Sequence, residues 1–403
     1  MTDAGTNEAF DVMGQFTDTV AGDVRDPYPR LAEQRRTAPV DRMRVLGMDG
    51  TPADAYVVHC YDDVARVMRD NATFSSAAIR DLMGVVMGPY VLVGMDEPEH
   101  RRHRALVSLA FRHKTLLQWE DEVLTGIVHD LIDRFAGRGR AELVRELTFR
   151  FPVQAIAAIL GLPASDHARF HDLAVAIVNV AARVERGLAA SRALREYLAV
   201  VLEERRRQPA GDLISDLAVA ELDGERLDDE EIFSFLRLLL PAGAETTYRA
   251  TGNLLFGLLS RPDQLDALRA DRSLMAQAVE EAIRWESPLL ITSRTAVRDT
   301  EVRGMEVPAG SQVIAHVGSA NHDETRWDDA ESYDLFRPPL PHISFGAGPH
   351  MCLGMHLARM EMGVAVGALL DRLPGVRLDP DGDDPHIHGE LFRSPTSLPV
   401  LFG

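Results

Sequence analysis

The stretch SFGAGPHMCLGMHLARME, residues 344–361, sets one cysteine among three glycines at the head of an amphipathic run. Glycines at 346, 348 and 354 let the backbone approach something flat or bulky. At a helix start, unpaired N–H groups favour a thiolate over a thiol at Cys352. A thiolate there is a nucleophile or a metal ligand. A buried inert cysteine is the commoner fate of this residue type, but it has no need of three glycines. With His350 or His356 as base, Cys352 could also serve a cysteine hydrolase.

A second constellation, LLLPAGAETT (238–247), places a proline, a glycine and two threonines inside a run that otherwise reads as one helix. In a helix interior proline costs roughly 3 kcal/mol against alanine, and local rules broken in mid-element mark functional or strained sites. Pro241 deprives the Arg237 carbonyl of its usual partner. Gly243 leaves room for a planar ligand against the backbone. Thr246 can bond back to a carbonyl one turn earlier, which bends helices. Glu245 and Thr246 then stand side by side, an acid and an alcohol suited to relaying protons. Glu281 and Arg284 form a third set, spaced to share one helix face. Alone, that spacing is an ordinary surface pair of little energetic worth.

Stepping along the chain, helices dominate and strands are small and late. Helical readings cover DPYPRLAEQRR (26–36), DDVARVMRD (62–70), most of 98–214, and LMAQAVEEAIRWE (274–286). A long helix begins at an Asp228 or Asp229 cap, with Glu230 and Glu231 in its positive first turn, and stops at Ser260-Arg261-Pro262. It is roughly 45–50 Å long at 1.5 Å per residue. The apolar segment 77–95, broken by glycines and a proline, reads as a loop with a buried inner side. Strands are expected at 54–61, 292–297, 300–308 and 311–318. A final helix starts near Cys352, with Leu353, Leu357, Met360 and Val364 on one face.

The Cys352 segment resembles the haem-binding loop of the cytochrome P450 family, Phe-Gly-x-Gly-x-(His or Arg)-x-Cys-x-Gly, through Phe345, Gly346, Gly348, His350, Cys352 and Gly354. Three further motifs follow in the family's order. Ala242 to Thr247 matches its (Ala/Gly)-Gly-x-(Asp/Glu)-Thr-Thr, Glu281 and Arg284 its Glu-x-x-Arg, and EPEHRRHRALVSLAF (97–111) its His/Arg haem contact. The resemblance implies haem b with Cys352 as proximal ligand. It further implies that Phe345 packs beside the sulfur, and that His100, Arg104, Arg294 and His350 bind the propionates. Ala242, Gly243, Gly346 and Gly354 are implied to lie against the cofactor. Glu245 and Thr246 are implied to protonate bound oxygen, and Glu281 and Arg284 to hold the core with Arg337. The implied fold is mainly α with small β-sheets (α+β), one helical domain over 1–403, with 1–25 loosely ordered. The implied reaction hydroxylates or epoxidises a small hydrophobic compound using O2 and two electrons. By family position Leu82, Val85, Val86, Val91, Leu238, Ala242, Leu289, Leu290, Thr292, Leu391 and Phe392 line the distal pocket. Their apolar character points to a compact terpenoid, steroid-like or alkyl-aromatic compound, and Arg80 reads as solvent-facing. Pro241 departs from the family, which has an aliphatic residue there.

The 403 residues carry 43 basic and 62 acidic side chains, a formal net charge of −19. That balance speaks against nucleic acid as a partner, since phosphate binding needs a positive footprint. Two cysteines, Cys60 and Cys352, make no disulfide framework and suit a reducing compartment. No run approaches the ~18 apolar residues of a membrane span, so a cytoplasmic protein is expected. No dinucleotide fingerprint accompanies GAGPH, so electrons are expected from a ferredoxin and its reductase. Arg101, Arg102, Arg112 and Lys114 are the expected docking patch. The competing readings are a peroxide-driven enzyme of the same family and a haem protein that never turns over.

Overall fold

The structure is a computed structural model describing residues 24–46, 52–178 and 183–403. The expectation for the N-terminal segment therefore falls largely outside the described residues. The anticipated long helix is present as three consecutive pieces: α-helix Asp229–Leu240, a π-helical turn Pro241–Glu245, and α-helix Thr246–Leu259. Its start is a capping box. Asp228 accepts from the Glu231 N–H at 2.8 Å, and Glu231 accepts from the Asp228 N–H at 2.7 Å. The π-turn begins at the proline, as the missing N–H and the ring's clash with the preceding turn require.

This central helix is buried on nearly every side, from Ile232, Phe233 and Leu236 to Leu254, Leu255 and Leu258. It packs against helices Met275–Trp285, Met355–Arg372 and Arg150–Ile159. Beside this helical layer lies a five-stranded sheet. Its order is Val40–Leu46, Pro52–Val58, Gln312–His316, Ile291–Ala296 and Phe74–Ser75. The sheet is antiparallel except where Gln312–His316 runs parallel to Pro52–Val58. A second hydrophobic cluster, with Tyr56, Val64, Phe74, Val313 and Trp327, packs under it. The expected strands at 292–297 and 311–318 are thus the sheet's central pair, and 300–308 folds as the hairpin Thr300–Val302 with Met305–Val307.

Two expectations need correction. Residues 77–95 are mostly not loop: Ala77–Met87 is an α-helix that continues through Gly84 and stops at Gly88, whose φ is 100°. Gly84 costs only about 1 kcal/mol against alanine, which packing outweighs. The C-terminal helix begins at Met355, three residues beyond Cys352, because the loop's glycines hold 346–354 in turns.

Candidate active site

Cys352 is a free, solvent-exposed cysteine, held in a loop stitched to itself. The Cys352 N–H donates to Phe345 O at 2.7 Å, Gly346 N–H to Ile343 O at 2.9 Å, and Met351 N–H to Gly348 O at 3.1 Å. Gly346 and Gly348 have φ of 77° and 74°, a region other residues avoid. A Cβ on Gly348 would also lie 2.7 Å from Arg69 Cα. That glycine serves the approach of helix Tyr61–Arg69, whereas the Cβ direction of Gly354 is open. The surrounding chain raises the Cys352 thiol pKa, while the Gly354 N–H, Arg104 and Arg359 pull it the other way.

His100, Arg104, Arg294 and His350 do come together. The His100 and His350 rings lie 4.0 Å apart, and His350 Nε2 is 3.3 Å from Ser76 Oγ. Arg104 donates to Met351 O at 2.6 Å, tying its helix to the cysteine loop. Arg294, opposite Val313 in the sheet, is buried and donates only to neutral oxygens, Ser293 O at 2.8 Å and Thr292 Oγ1 at 3.2 Å. The acids beside them are already engaged: Asp96 accepts from Ser75 and Ser76, and Glu97, 3.7 Å from His100 Nδ1, also pairs with Arg101 at 3.3 Å. Burial, then His100 and Arg294, push the His350 pKa down to about 3. Burial and Arg104 lower that of His100 against Glu97, and its ring nitrogens have no hydrogen-bond partner among the described residues. Four cation-capable groups thus converge with too little negative charge. A ligand carrying two carboxylates matches them, since buried charge must be paired. Together with the glycine loop and a thiol, these residues fit haem.

On the central helix, Ala242 is exposed between the partly exposed Pro241 and Gly243, and Thr246 lies one turn on. The Thr246 hydroxyl donates to Ala242 O at 2.8 Å, the back-bond expected from the sequence. Gly243 differs from expectation. Its missing side chain faces Ile156, whose Cδ1 would be 3.0 Å from a Cβ, so the glycine admits a neighbouring helix and Ala242 presents the open face.

Glu245 also differs. It does not pair with Thr246; it is buried and takes both the Nη2 and Nε bonds of Arg249 on Oε1, at 2.7 and 2.9 Å. Arg249 is wholly buried, donates to Ser394 Oγ at 3.0 Å and lies 5.2 Å from the Phe392 ring centroid. The Glu245–Arg249 spacing of four was the available signal for this pair.

Glu281 joins Arg284 at 2.7 Å and Arg337 at 2.9 Å, as expected. Of the anticipated pocket residues, Leu289 bridges Phe392, and the Leu290 N–H donates to Leu391 O at 2.9 Å. These segments bring Leu289, Thr292, Leu391 and Phe392 to partly open positions. Val91 and Leu290 are core residues instead, 0% and 1% exposed. Leu290 packs under Gly318. Val86 and Leu238 are nearly buried, Val85 is 71% exposed, and the Leu82 side chain lies outside the described residues. Arg80 is paired with Glu99 at 3.1 Å.

The family model for cytochrome P450 matches residues 153–398. Nocardicin C N-oxygenase of Nocardia uniformis subsp. tsuyamanensis is 36% identical over 96% of this chain and 98% of its own. Mycinamicin IV hydroxylase/epoxidase of Micromonospora griseorubida is 34% identical, covering 93% and 95%. The crystal structure of CYP109E1 from Bacillus megaterium in complex with testosterone superposes with a TM-score of 0.85 at 30% identity, over 94% of this chain and 99% of that one. The chain belongs to the cytochrome P450 family, haem b proteins with a cysteine thiolate ligand that act as monooxygenases.

Proposed function

We propose that this chain, folded as a single domain over 1–403, hydroxylates or epoxidises a small, largely apolar compound with electrons from a ferredoxin-type donor. The observation that carries the reading is the open face at the π-turn, where Ala242 is exposed and Thr246 is fixed by its back-bond. Haem, when bound, supplies oxygen activation and C–H oxidation. Cys352 is its thiolate ligand and Phe345 packs beside the sulfur. Gly346, Gly354, Ala242 and Gly243 make up the backbone around the cofactor, with Gly243 acting through the helix that it admits. Arg104, Arg294, His100 and His350 hold the propionates.

Because the Thr246 hydroxyl spends its proton on Ala242 O, its oxygen is left as an acceptor for a proton-bearing ligand or water. Glu245, held by Arg249 on the buried side, is the acid assigned to this reaction, and its proton reaches the open face through water that the Thr246 oxygen holds as an acceptor. An enzyme driven by peroxide has no use for such an acid, which favours the electron-dependent reading. Leu289, Thr292, Leu391, Phe392, Val85 and Ala242 form the apolar wall against substrate. The relatives' printed names, nocardicin C N-oxygenase, mycinamicin IV hydroxylase/epoxidase and a complex with testosterone, support a small organic molecule as substrate.

For donor docking, Arg102 drops out, since it is bound to Glu225 and Glu231 at 2.5 and 2.7 Å. Arg112 and Lys114 are exposed beside Leu117, and with Arg101 they form the proposed patch for an acidic ferredoxin. Arg112→Glu should slow reduction at low salt; unchanged kinetics would remove the patch. For the central reading, the reduced protein with carbon monoxide should show the thiolate-type absorption band, and Cys352→Ser should lose it. Retention of the band in Cys352→Ser would refute the ligand assignment. Absence of turnover with a surrogate ferredoxin and reductase, alongside turnover with peroxide, would favour the peroxide-driven alternative.

A further inference from the structure

Beside the cysteine loop lies a second charged cluster, made of Arg359, Glu280 and His342. Arg359, on the helix that follows the loop, stands with its guanidinium 4.5 Å from the Phe345 ring centroid. The same guanidinium is clamped by Glu280, on the neighbouring helix Met275–Trp285, through Nε–Oε1 at 2.5 Å and Nη2–Oε2 at 2.9 Å. His342 completes the group, its Nε2 3.3 Å from Glu280 Oε2 and its ring 5.8 Å from that of Phe345. Although burial works against it, Glu280 is held down at about 2 by His342 and Arg359, so the carboxylate is ionised throughout the working range. Phe345 is the residue whose carbonyl accepts from Cys352 N–H, so the clamp reaches the ligand loop directly.

We propose that the Glu280–Arg359 pair sets the electron-donating strength of the Cys352 thiolate, and thereby the reduction potential of the bound haem. The physical argument is one of charge balance. One-electron reduction of ferric to ferrous haem adds a negative charge to the site, and a nearby cation favours that form. Arg359 supplies the cation, its Cζ over the Phe345 ring at 4.5 Å from the centroid, a position that arginine takes readily on aromatic faces. Glu280 both fixes it there and cancels most of its field. The bidentate fork makes Glu280 the better of the two levers, because its loss frees a full positive charge without removing the ring contact. Each side chain is about a third exposed, 30% and 37%, so solvent screens the effect and salt weakens it.

The inference rests on Cys352 as the ligand, and the test separates the two. Each purified haem-loaded variant is first checked for the thiolate-type carbon monoxide band. It is then titrated with dithionite against a reference dye, without any partner protein, at low and high salt. Glu280→Gln should raise the potential, Arg359→Gln should lower it, and the double variant, neutral for neutral, should return close to wild type. Arg359→Lys, keeping the charge and losing the planar group, should stay nearer wild type than Arg359→Gln. The high-salt shifts should be smaller. Opposite signs are what a structural role cannot produce, because damage to the loop moves both single variants the same way.

Shifts of equal sign, or unmoved potentials with the thiolate band intact, would overturn the proposal while leaving Cys352 in place. If the two single variants fail to take up haem and the double variant fails as well, the pair is structural and the proposal is wrong. Absence of the band from the wild type would instead overturn the ligand assignment.

Discussion

Two glutamate–arginine pairs lie on neighbouring helices of this molecule, built from the same side chains and put to different ends. Glu281 and Arg284 are embedded in a saturated network. Glu281 Oε1 accepts from Arg284, Arg337 and the Asp334 N–H, and Oε2 from Arg284. Arg284 also reaches three backbone carbonyls, of Asn321, Ala330 and Ser332. Glu245 and Arg249 are just as buried, but the arginine's two bonds arrive on a single oxygen, and its third nitrogen meets a hydroxyl, Ser394. The first pair ties together three separate segments. The second sits beside a π-turn that interrupts the central helix. The contrast teaches that burial and pairing alone do not separate a structural pair from a functional one. What the pair holds together does: the first joins three segments, and the second borders the interrupted turn.

Breaking the saturated pair should give the largest effect. Glu281→Gln leaves two guanidiniums around a neutral amide, and disrupting a buried pair costs about 3–5 kcal/mol. We expect little haem-loaded protein and a melting temperature lowered by many degrees. A variant with near-normal stability would erase the distinction. Glu245→Gln should instead strike activity. Its amide oxygen still accepts from Arg249, and Arg249 retains Ser394 and the Tyr248 and Phe392 rings, 4.9 and 5.2 Å from its Cζ. The stability loss should be clearly below that of Glu281→Gln. Loss of a positioned acid should slow product formation about 10²-fold. Equal damage to stability from both variants would show that Glu245 is structural too. Smaller again is Thr246→Val, which removes the back-bond to Ala242. The melting temperature should hardly move. Oxygen consumed without product should rise, read as peroxide released per NADH.

How much of this could be read in the chain differed between the two pairs. Glu281–Arg284 was legible because both partners fall in one short motif, and the role of Arg337 followed from the resemblance. The Glu245–Arg249 pair is not legible in the motif, which ends at Thr247 and places the acid in the open groove. Adjacent residues on a helix point about 100° apart, so Glu245 and Thr246 could not share one face. Gly243 was misread for a related reason: the sequence shows that a side chain is absent but not which neighbour, here Ile156, needs the space. Helix and strand order was largely legible from periodicity and caps. The helix Ala77–Met87 was not, because two glycines and a proline at its end outweighed a short apolar pattern. The convergence of Arg104 and Arg294 is a matter of sheet register and helix packing, which no local spacing encodes.

A third buried polar group, His59, has no hydrogen-bond partner among the described residues. It is 1% exposed. Its ring lies 5.5 Å from that of His316. Burial lowers the His59 pKa to about 4, Arg35 and Arg30 adding to the effect against Asp41. The folded pKa thus lies below the ordinary value near 6.5. Between those two values the unfolded chain binds the extra proton, so this group makes stability fall as pH falls from about 6.5 towards 4, and it has no effect above that window. The slope it contributes is at most about 1.4 kcal/mol per pH unit. His59→Leu removes the titration and two unpaired nitrogens at similar volume. It should leave activity unchanged, raise the melting temperature slightly at pH 7, and flatten the decline between pH 6.5 and 4. Melting curves across that range decide the matter. An undiminished decline would assign the acid sensitivity to His316, whose pKa burial and His59 push down to about 3.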